Sequence, residues 1–600
     1  MILHRGSADM DGIINENRGG VQGSNQIVND FQAGSAIDLG SLKWGKRFYG
    51  FELHTGDHIS GQIIRRAGNR GANKYFYFVE RDSTGRRGWI HMENILDLTF
   101  TSDETPRIVM FSNPWIVRAK FKELKRWTDN NVFEEVMDVG QDTILTRWLI
   151  TETGMEEGVE GVDTIARIVA RGFEGDTDYW SKKSKVPLTC GTDIVRLMTA
   201  IASSKMWVCQ SIDMKDAYLK GDDIKQEIFL KPPDEFCIGK LWRLKKKISG
   251  ISVDYGWYQK VKKELLSLGM EVSPFDCSLF YLKVENELLG MICIYVDTFV
   301  FCGTGHFLDK ISKWLIEMFR LGSLSRVTFT SVGINFNAYK DGVTMDQDHY
   351  VSSIDKIPIS PAREGETSDL TIAEKRAFRS LVGQINWVSI HTRPDMALET
   401  SKLVGKYNTA MVDDLVKLNC LVDRLKGRSM HIYYPRLPTL TKCTLRCYSD
   451  ASFGNLPSGG VQVGFFLDLE SEDGLMKCPV YWLSKRIQRD LESSLAAKCF
   501  ALYEGAKAAV FLMKTLEHVV MGANITVICM TDCEHLRNVI YSESKPKDRR
   551  MRLYVYCICE MLKLHDIDRV EWASSTGQVG EPSTKGGLCR NQLMDSLCRI

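Results

Sequence analysis

The chain has 600 residues, of which 44% are hydrophobic and 26% are charged. This length predicts several domains, and this composition is typical of soluble globular protein. The formal net charge of +1 excludes a chain that is basic throughout, so any surface that binds nucleic acid must be local. The candidates are 120–126, 245–247 and 545–552, and each is equally well explained as a solvated charged face.

Cysteines and apolar runs restrict the cellular setting. The 17 cysteines are scattered, and no close pair has the paired two-residue spacing of a structural zinc site. We therefore predict reduced thiols in an intracellular protein. The longest apolar run, about 288–302, is too short to cross a bilayer and contains an aspartate. We expect neither a membrane segment nor a secretion signal.

The N-terminal part divides into two segments. Residues 1–45 are rich in Gly, Asn, Asp and Ser, which predicts a disordered tail. Between 46 and 105, short runs of β-favouring residues alternate with Gly and Asn turns. This pattern predicts a small β-rich module, either a barrel or a sheet.

Two aspartates stand at the ends of predicted strands further along the chain. Residues 291–301, Met-Ile-Cys-Ile-Tyr-Val-Asp-Thr-Phe-Val-Phe, predict two buried strands around a tight turn, with Asp297 at the turn. Asp213 ends a shorter predicted strand that follows a predicted helix over 191–204. A buried carboxylate is costly unless a partner or a metal compensates it. Two such acids can share a divalent cation.

The motifs around these acids resemble the reverse transcriptases of copia-type retrotransposons. Residues 213–221 read Asp-Met-Lys-Asp-Ala-Tyr-Leu-Lys-Gly, where the family carries Asp-Val-Lys-Thr-Ala-Phe-Leu-Asn-Gly. Residues 295–298 read Tyr-Val-Asp-Thr, where the family carries Tyr-Val-Asp-Asp. Further similar segments are 166–173, 227–236, 241–250, 276–281 and 381–395, so the resemblance spans roughly 118–590.

The resemblance implies a fold and a domain order. The expected fold class is an α+β polymerase right hand with fingers, palm and thumb/connection, followed by an α/β RNase H-like domain. The strands and helices predicted after about residue 445 occur in the order of an RNase H-like domain. The expected boundaries are 115–345 for fingers and palm, 346–440 for thumb/connection and 441–600 for the RNase H-like domain.

The resemblance also implies roles at the polymerase site. Asp213 and Asp297 are the expected catalytic acids and metal ligands, since nucleotidyl transfer uses two divalent ions held by converging carboxylates. Tyr218 matches an aromatic residue that contacts the incoming sugar, although a core aromatic would look the same. Arg167 and Arg171 are the expected ligands of the triphosphate, with exposed edge arginines as the alternative.

The RNase H-like site is expected to use four acids and two metal ions. Asp450 and Asp532 lie at predicted strand ends and are the expected catalytic acids and metal ligands. Glu581 is a further candidate, and the sequence does not decide whether its carboxylate reaches the metal ions. Relatives carry a glutamate in the helix segment Ser-Thr-Leu-Ala-Ala-Glu, where this chain has Lys498. We expect this cation to exclude at least one metal ion, unless Lys498 is simply an exposed helical lysine of a scaffold domain.

These departures shape the predicted function. Thr298 replaces an acid in the polymerase motif and removes a negative charge. The sequence thus predicts an RNA-directed DNA polymerase with impaired synthesis and an inactive nuclease. Its implied partners are an RNA template, a DNA primer, an RNA–DNA hybrid, dNTPs and Mg²⁺ or Mn²⁺, in the cytoplasm or nucleus. The alternatives are a non-catalytic nucleic-acid-binding protein and an inert remnant.

Overall fold

The computed structural model describes part of the chain in detail. Between 47 and 100 it describes the backbone of five strands, and it then describes residues 114–153, 163–171, 189–213, 227–233, 240–246, 248, 255–295, 298–319, 325–326, 328–331, 333–360, 363, 365, 367–454, 460–487, 491–543, 546–574 and 584. The predicted tail over 1–45 lies outside the described residues. None of the helices within these ranges is both long and apolar enough to cross a membrane.

The secondary structure alternates strands with helices through most of these ranges. The strands are β1 Arg47–Glu52, β2 His58–Arg66, β3 Phe76–Arg81, β4 Arg87–His91, β5 Ile95–Phe100, β6 Phe133–Met137, β7 Thr143–Thr153, β8 Asp163–Ala170, β9 Val208–Asp213, β10 Phe229–Lys231, β11 Lys240–Leu244, β12 Glu271–Val272, β13 Leu279–Val284, β14 Glu287–Tyr295, β15 Thr298–Gly303, β16 Ser325–Arg326, β17 Thr328–Ser331, β18 Ile334–Tyr339, β19 Gly342–Asp346, β20 Ile432–Pro435, β21 Thr444–Ser452, β22 Val461–Glu470, β23 Lys477–Ile487, β24 Thr526–Thr531 and β25 Arg569–Trp572. The helices are α1 Pro114–Asp129, α2 Thr192–Ser204, α3 Tyr255–Ser267, α4 Gly305–Phe319, α5 Asp348–Ser352, α6 Ile372–His391, α7 Ala397–Val404, α8 Val412–Gly427, α9 Ser494–Val519, α10 Glu534–Tyr541 and α11 Arg549–Lys563, with a 3₁₀ turn at Pro394–Met396.

The chain divides into two compact units. The first comprises residues 1–170 and 229–243, and the second comprises residues 171–228 and 244–600. The first unit contains a five-stranded antiparallel sheet in the order β4-β3-β2-β1-β5. It also contains a sheet in the order β6-β11-β10-β7-β8. Beside this second sheet, Trp127, Phe133 and Trp242 form an aromatic cluster with ring centroids 4.2–6.2 Å apart.

The second unit begins with a six-stranded sheet in the order β12-β13-β14-β15-β9-β16. Successive side chains of a strand point to opposite faces, and both faces of this sheet are apolar. One face packs with α2 through residues such as Cys293 and Val300. The other packs with α3 and α4 through residues such as Ile292 and Phe299. This double burial explains the unbroken apolar run in the sequence.

Helices α5–α8 form the next part of the second unit, around a separate apolar core. Helix α6 begins at a capping box: Thr371 Oγ1 accepts a hydrogen bond from the backbone N–H of Glu374 at 3.2 Å. The Glu374 carboxylate in turn accepts one from the backbone N–H of Thr371 at 2.8 Å. This reciprocal pair satisfies two backbone donors that a helix start leaves without intrahelical partners.

The last sheet of the second unit has the order β23-β22-β21-β24-β25. Its first three strands are antiparallel, whereas β24 pairs in parallel with both β21 and β25. Helix α9 packs closely on this sheet at Gly505, where a Cβ atom would lie 2.6 Å from Cys447 Sγ and 3.3 Å from Phe465 Cβ. Because only glycine permits this approach, Gly505 sets the distance of α9 from β21.

Candidate active sites

The six-stranded sheet, called the palm sheet below, places Asp213 at the end of β9. Strand β9 pairs antiparallel with β15, and Asp213 lies directly opposite Thr298. Strands β14 and β15 also pair, with Tyr295 opposite Thr298. Directly opposed residues of an antiparallel pair have Cα atoms about 4.5–5.5 Å apart. The backbone of Asp213 thus lies across from the residue that follows Asp297.

The side chains that would do the chemistry are only partly described. The two buried strands predicted over 291–301 are confirmed. Asp297 and Tyr218 lie outside the described residues, as does the side chain of Asp213. Their catalytic, metal-binding and nucleotide-binding roles stay predictions. Thr298 is described and is only 7% exposed, so the position where relatives carry a second acid is here a buried, uncharged hydroxyl.

The predicted triphosphate ligands lie in and directly after β8, the strand at one edge of the second sheet of the first unit. Arg167 lies within β8, whereas Arg171 follows its last residue. Arg167 Nη1 lies 3.4 Å from Oε2 of Glu123, a carboxylate that is only 2% exposed. Glu123 also accepts hydrogen bonds from Trp127 Nε1 and from the backbone of Ile168, both at 3.2 Å. The role of either arginine in nucleotide binding stays a prediction.

The RNase H-like acids converge where parallel strands end. Strands β21 and β24 pair in parallel, with Ser449 opposite Thr531. Asp450 is the next residue of β21, which continues to Ser452, and Asp532 directly follows the last residue of β24, so the two acids lie side by side where the parallel pairing ends. Lys498 lies in the second turn of α9, seven residues before Gly505 and therefore on the same helix face.

This arrangement brings Lys498 between the two carboxylates. Its Nζ atom lies 2.5 Å from both carboxylate oxygens of Asp532 and 3.2 Å from Oδ1 of Asp450. The exposed fractions of the three side chains are 15% for Lys498, 12% for Asp532 and 0% for Asp450. The alternative of an exposed helical lysine is therefore wrong, because packing of α9 on the sheet turns this side chain inward.

The residues around Lys498 stabilise its protonated form. Burial by itself lowers the pKa of a lysine, but the field of Asp450 and the hydrogen bond to Asp532 outweigh it, so the pKa of Lys498 lies above its ordinary value. Asp450 has a second neighbour, because Thr584 Oγ1 donates a hydrogen bond to its Oδ2 atom. Thr584 is buried and was missed by sequence reasoning, whereas the candidate Glu581 lies outside the described residues.

These residues do not fit a two-metal site. A divalent ion bound by Asp450 and Asp532 would have to use oxygens that already contact the Lys498 ammonium or the Thr584 hydroxyl. Mg²⁺ requires oxygen ligands at about 2.0–2.1 Å in near-octahedral geometry, and an ammonium among them is a like charge that offers no lone pair. The expected exclusion of metal thus has a specific physical basis, which is occupancy of the site by a lysine.

One other acidic group within the described ranges has the spacing of metal ligands. Ligand atoms of Asp346, Asp348 and His431 lie within 4.8 Å of one another. The Asp346 carboxylate, however, already accepts hydrogen bonds from Asn335 Nδ2 at 2.7 Å and Asn337 Nδ2 at 3.0 Å. These bonds satisfy a carboxylate that is only 4% exposed and give this group a structural role.

Arg196 is a further residue that sequence reasoning missed. It is 1% exposed, and its guanidinium carbon lies 3.5 Å from the ring centroid of Trp482 in the RNase H-like sheet. Its Nη2 atom donates to the carbonyl of His391 at 3.1 Å and to that of Ile390. Burial lowers the pKa of Arg196 to about 10. A lone cation within the apolar helix segment 194–202 was the available signal.

Comparison with known proteins agrees with this architecture. Residues 130–362 match the family model described as reverse transcriptase (RNA-dependent DNA polymerase). The chain is 22% identical over 377 residues to the retrovirus-related Pol polyprotein from transposon RE1 of Arabidopsis thaliana, a match that covers 59% of this chain and 24% of that protein. The chain carries a copia-type retrotransposon reverse transcriptase domain. The predicted resemblance is thereby confirmed. The predicted fold class agrees with the mixed sheets and helices described above.

Other matches extend across the reverse transcriptase domain and beyond it. The transposon Ty1-DR5 Gag-Pol polyprotein of Saccharomyces cerevisiae is 22% identical over 427 residues, which cover 64% of this chain and 23% of that protein. The chain thus spans about a quarter of the length of the curated relatives it matches. A solved foamy viral protease-reverse transcriptase in complex with RNA/DNA hybrid is 12% identical, with 86% of this chain and 70% of that chain covered and a TM-score of 0.42.

Proposed function

We propose that this chain is an RNA-directed DNA polymerase of the retrotransposon type, whose RNase H-like domain does not cut RNA. Its partners are then an RNA template, a DNA primer, the RNA–DNA hybrid between them, and dNTPs. We place its activity inside the cell, in the cytoplasm or nucleus. The observation that carries the proposal is the pairing of Asp213 with Thr298 at the end of the buried palm sheet.

Asp213 and Asp297 are the residues that would hold Mg²⁺ or Mn²⁺. Such ions, when bound, lower the pKa of the primer 3′-hydroxyl and hold the triphosphate. Asp213 is the last residue of β9, and Asp297 directly precedes the first residue of β15 in the sequence. Thr298 supplies a hydroxyl where a third carboxylate would add negative charge. Arg167 and Arg171 are the proposed ligands of the triphosphate oxygens, and Tyr218 the proposed neighbour of the incoming sugar. With one acid fewer, we expect slow synthesis.

Primer extension tests this proposal. Purified protein is given a primed RNA template and dNTPs with Mg²⁺ or Mn²⁺, and Asp213→Asn is compared with the matched control Asp216→Asn three residues later. We expect weak extension by wild type and the control, and none by Asp213→Asn.

The runner-up function is non-catalytic binding of nucleic acid. It is favoured specifically by the two positions where charge differs from that of relatives, Thr298 and Lys498. If wild type extends no more than Asp213→Asn and still binds hybrid in a salt-sensitive manner, the chain is a binder and the polymerase proposal is wrong.

A further inference from the structure

The RNase H-like site contains a cation of its own. Helix α9 supplies Lys498, β21 supplies Asp450 two residues before its end, and Asp532 directly follows β24. The Lys498 Nζ atom contacts both carboxylates, at 2.5 Å and 3.2 Å. An ammonium that bridges two acids occupies the position where a shared metal ion would neutralise them.

The oxygens of the pair are already in use. Lys498 contacts Oδ1 of Asp450 and both oxygens of Asp532. The remaining Asp450 oxygen accepts the hydrogen bond from the buried hydroxyl of Thr584. A metal ion would have to displace a lysine and a threonine from groups that are at most 15% exposed.

Charge balance leads to the same result. The two carboxylates carry a formal charge of −2, and Lys498 reduces it to −1 within the cluster. A divalent ion would then meet half of the negative charge that the two acids offer alone, together with a fixed positive charge at contact distance. Both effects oppose its binding.

We infer that Lys498 is the resident cation of the RNase H-like site and that Asp450 and Asp532 take no divalent metal ion. The acids are thereby held as a structural ion pair that joins α9 to the ends of β21 and β24. Where DNA synthesis proceeds as proposed above, a separate hybrid-specific ribonuclease must remove the RNA strand of the product. That consequence rests on the proposed function, but the ion pair does not.

Counting bound Mn²⁺ tests the inference in the full chain. Bound Mn²⁺ per chain is measured by electron paramagnetic resonance for wild type and for Asp532→Asn, Lys498→Glu and Lys498→Gln. The matched control is Lys514→Glu, which makes the same charge change on α9 beside Asp566, 2.8 Å from Lys514 Nζ. The polymerase site is untouched in all five proteins, so its own metal content cancels from the differences.

We expect wild type, Asp532→Asn and Lys514→Glu to bind equal numbers of Mn²⁺ ions, and Lys498→Glu to bind at least one more. Mn²⁺ should also raise the melting temperature of Lys498→Glu by more than it raises that of the control Lys514→Glu. If Lys498→Glu does not fold, Lys498→Gln tests the inference instead. Glutamine removes the ammonium but keeps a long polar side chain, so this variant should also bind an additional Mn²⁺ ion. The inference is overturned if Asp532→Asn binds fewer ions than wild type, or if the folded Lys498 variants gain none.

Discussion

Replacing Lys498 by methionine keeps most of the side-chain volume and removes the ammonium between the acids. Asp450 is 0% exposed, and without Lys498 its neighbour Thr584 offers it only a neutral hydroxyl. At an effective dielectric constant near 20, each Lys498 contact has a gross attraction of about 5–7 kcal/mol, most of which is cancelled by desolvation. Removal of one partner from a buried ion pair destabilises proteins by about 3–5 kcal/mol. We expect Lys498→Met to lose this much free energy of unfolding.

The matched control lies on the same helix. Lys514 pairs with Asp566 at 2.8 Å, but the two side chains are 35% and 21% exposed, so the pair should contribute only about 0–1 kcal/mol. Urea unfolding followed by far-ultraviolet circular dichroism compares Lys498→Met with Lys514→Met. In thermal unfolding, the first variant should melt about 6–20 °C below wild type, given about 2–4 °C per kcal/mol for a unit of 150–250 residues. Equal stability of the two variants, within about 1 kcal/mol, would refute the ion-pair argument.

Three other substitutions test separate parts of the structure. Thr298→Asp restores a carboxylate opposite Asp213, and primer extension should exceed that of wild type; equal extension would remove the argument about the missing acid. Lys498→Glu should restore some cleavage of the RNA strand in a labelled hybrid, and its failure to do so despite bound Mn²⁺ would mean that a further ligand is absent. Burial raises the pKa of Asp468 to about 7, so the folded state binds its proton more tightly and stability falls as pH rises from about 4 to about 7. Asp468→Asn should therefore be more stable than wild type in urea at pH 8 and equal to it at pH 4, and a difference that does not depend on pH would contradict this.

Thr298→Asp has a cost as well as an expected gain. Directly opposed residues of an antiparallel pair have Cβ atoms about 4.5–5.5 Å apart. Two carboxylates at that separation repel by about 3 kcal/mol at an effective dielectric constant near 20. The variant should therefore unfold more readily than wild type without divalent ions and recover when Mg²⁺ is added.

The sequence predicted the elements whose periodicity is strong. The apolar run over 291–301 has the length and composition of two buried strands, and β14 and β15 confirm it. The strand and helix order after residue 445 is likewise confirmed by β21–β24, α9 and α11. Two shorter elements, α10 and β25, were not predicted, since they have only eight and four residues and little pattern to detect.

Side-chain direction was the part that sequence could not supply. The motif Ser-Ser-Leu-Ala-Ala-Lys placed Lys498 on a helix, but whether the lysine faces solvent or the acids depends on how α9 packs. That packing is set by Gly505, whose contacts with Cys447 and Phe465 bring together segments far apart in sequence. Thr584 reaches Asp450 across an even longer separation. Such contacts follow from tertiary structure and have no local signature.

The two sites differ from those of relatives by substitutions with different electrostatic results. At position 298 an acid is replaced by a neutral hydroxyl, which lowers the negative charge near Asp213 but places no positive charge there. At position 498 an acid is replaced by a cation whose ammonium contacts both remaining carboxylates. The first change weakens the attraction for a divalent ion, whereas the second places a covalently attached ammonium where the ion would bind. Under the proposed function, synthesis therefore persists at a reduced rate while Lys498 closes the nuclease site to metal ions.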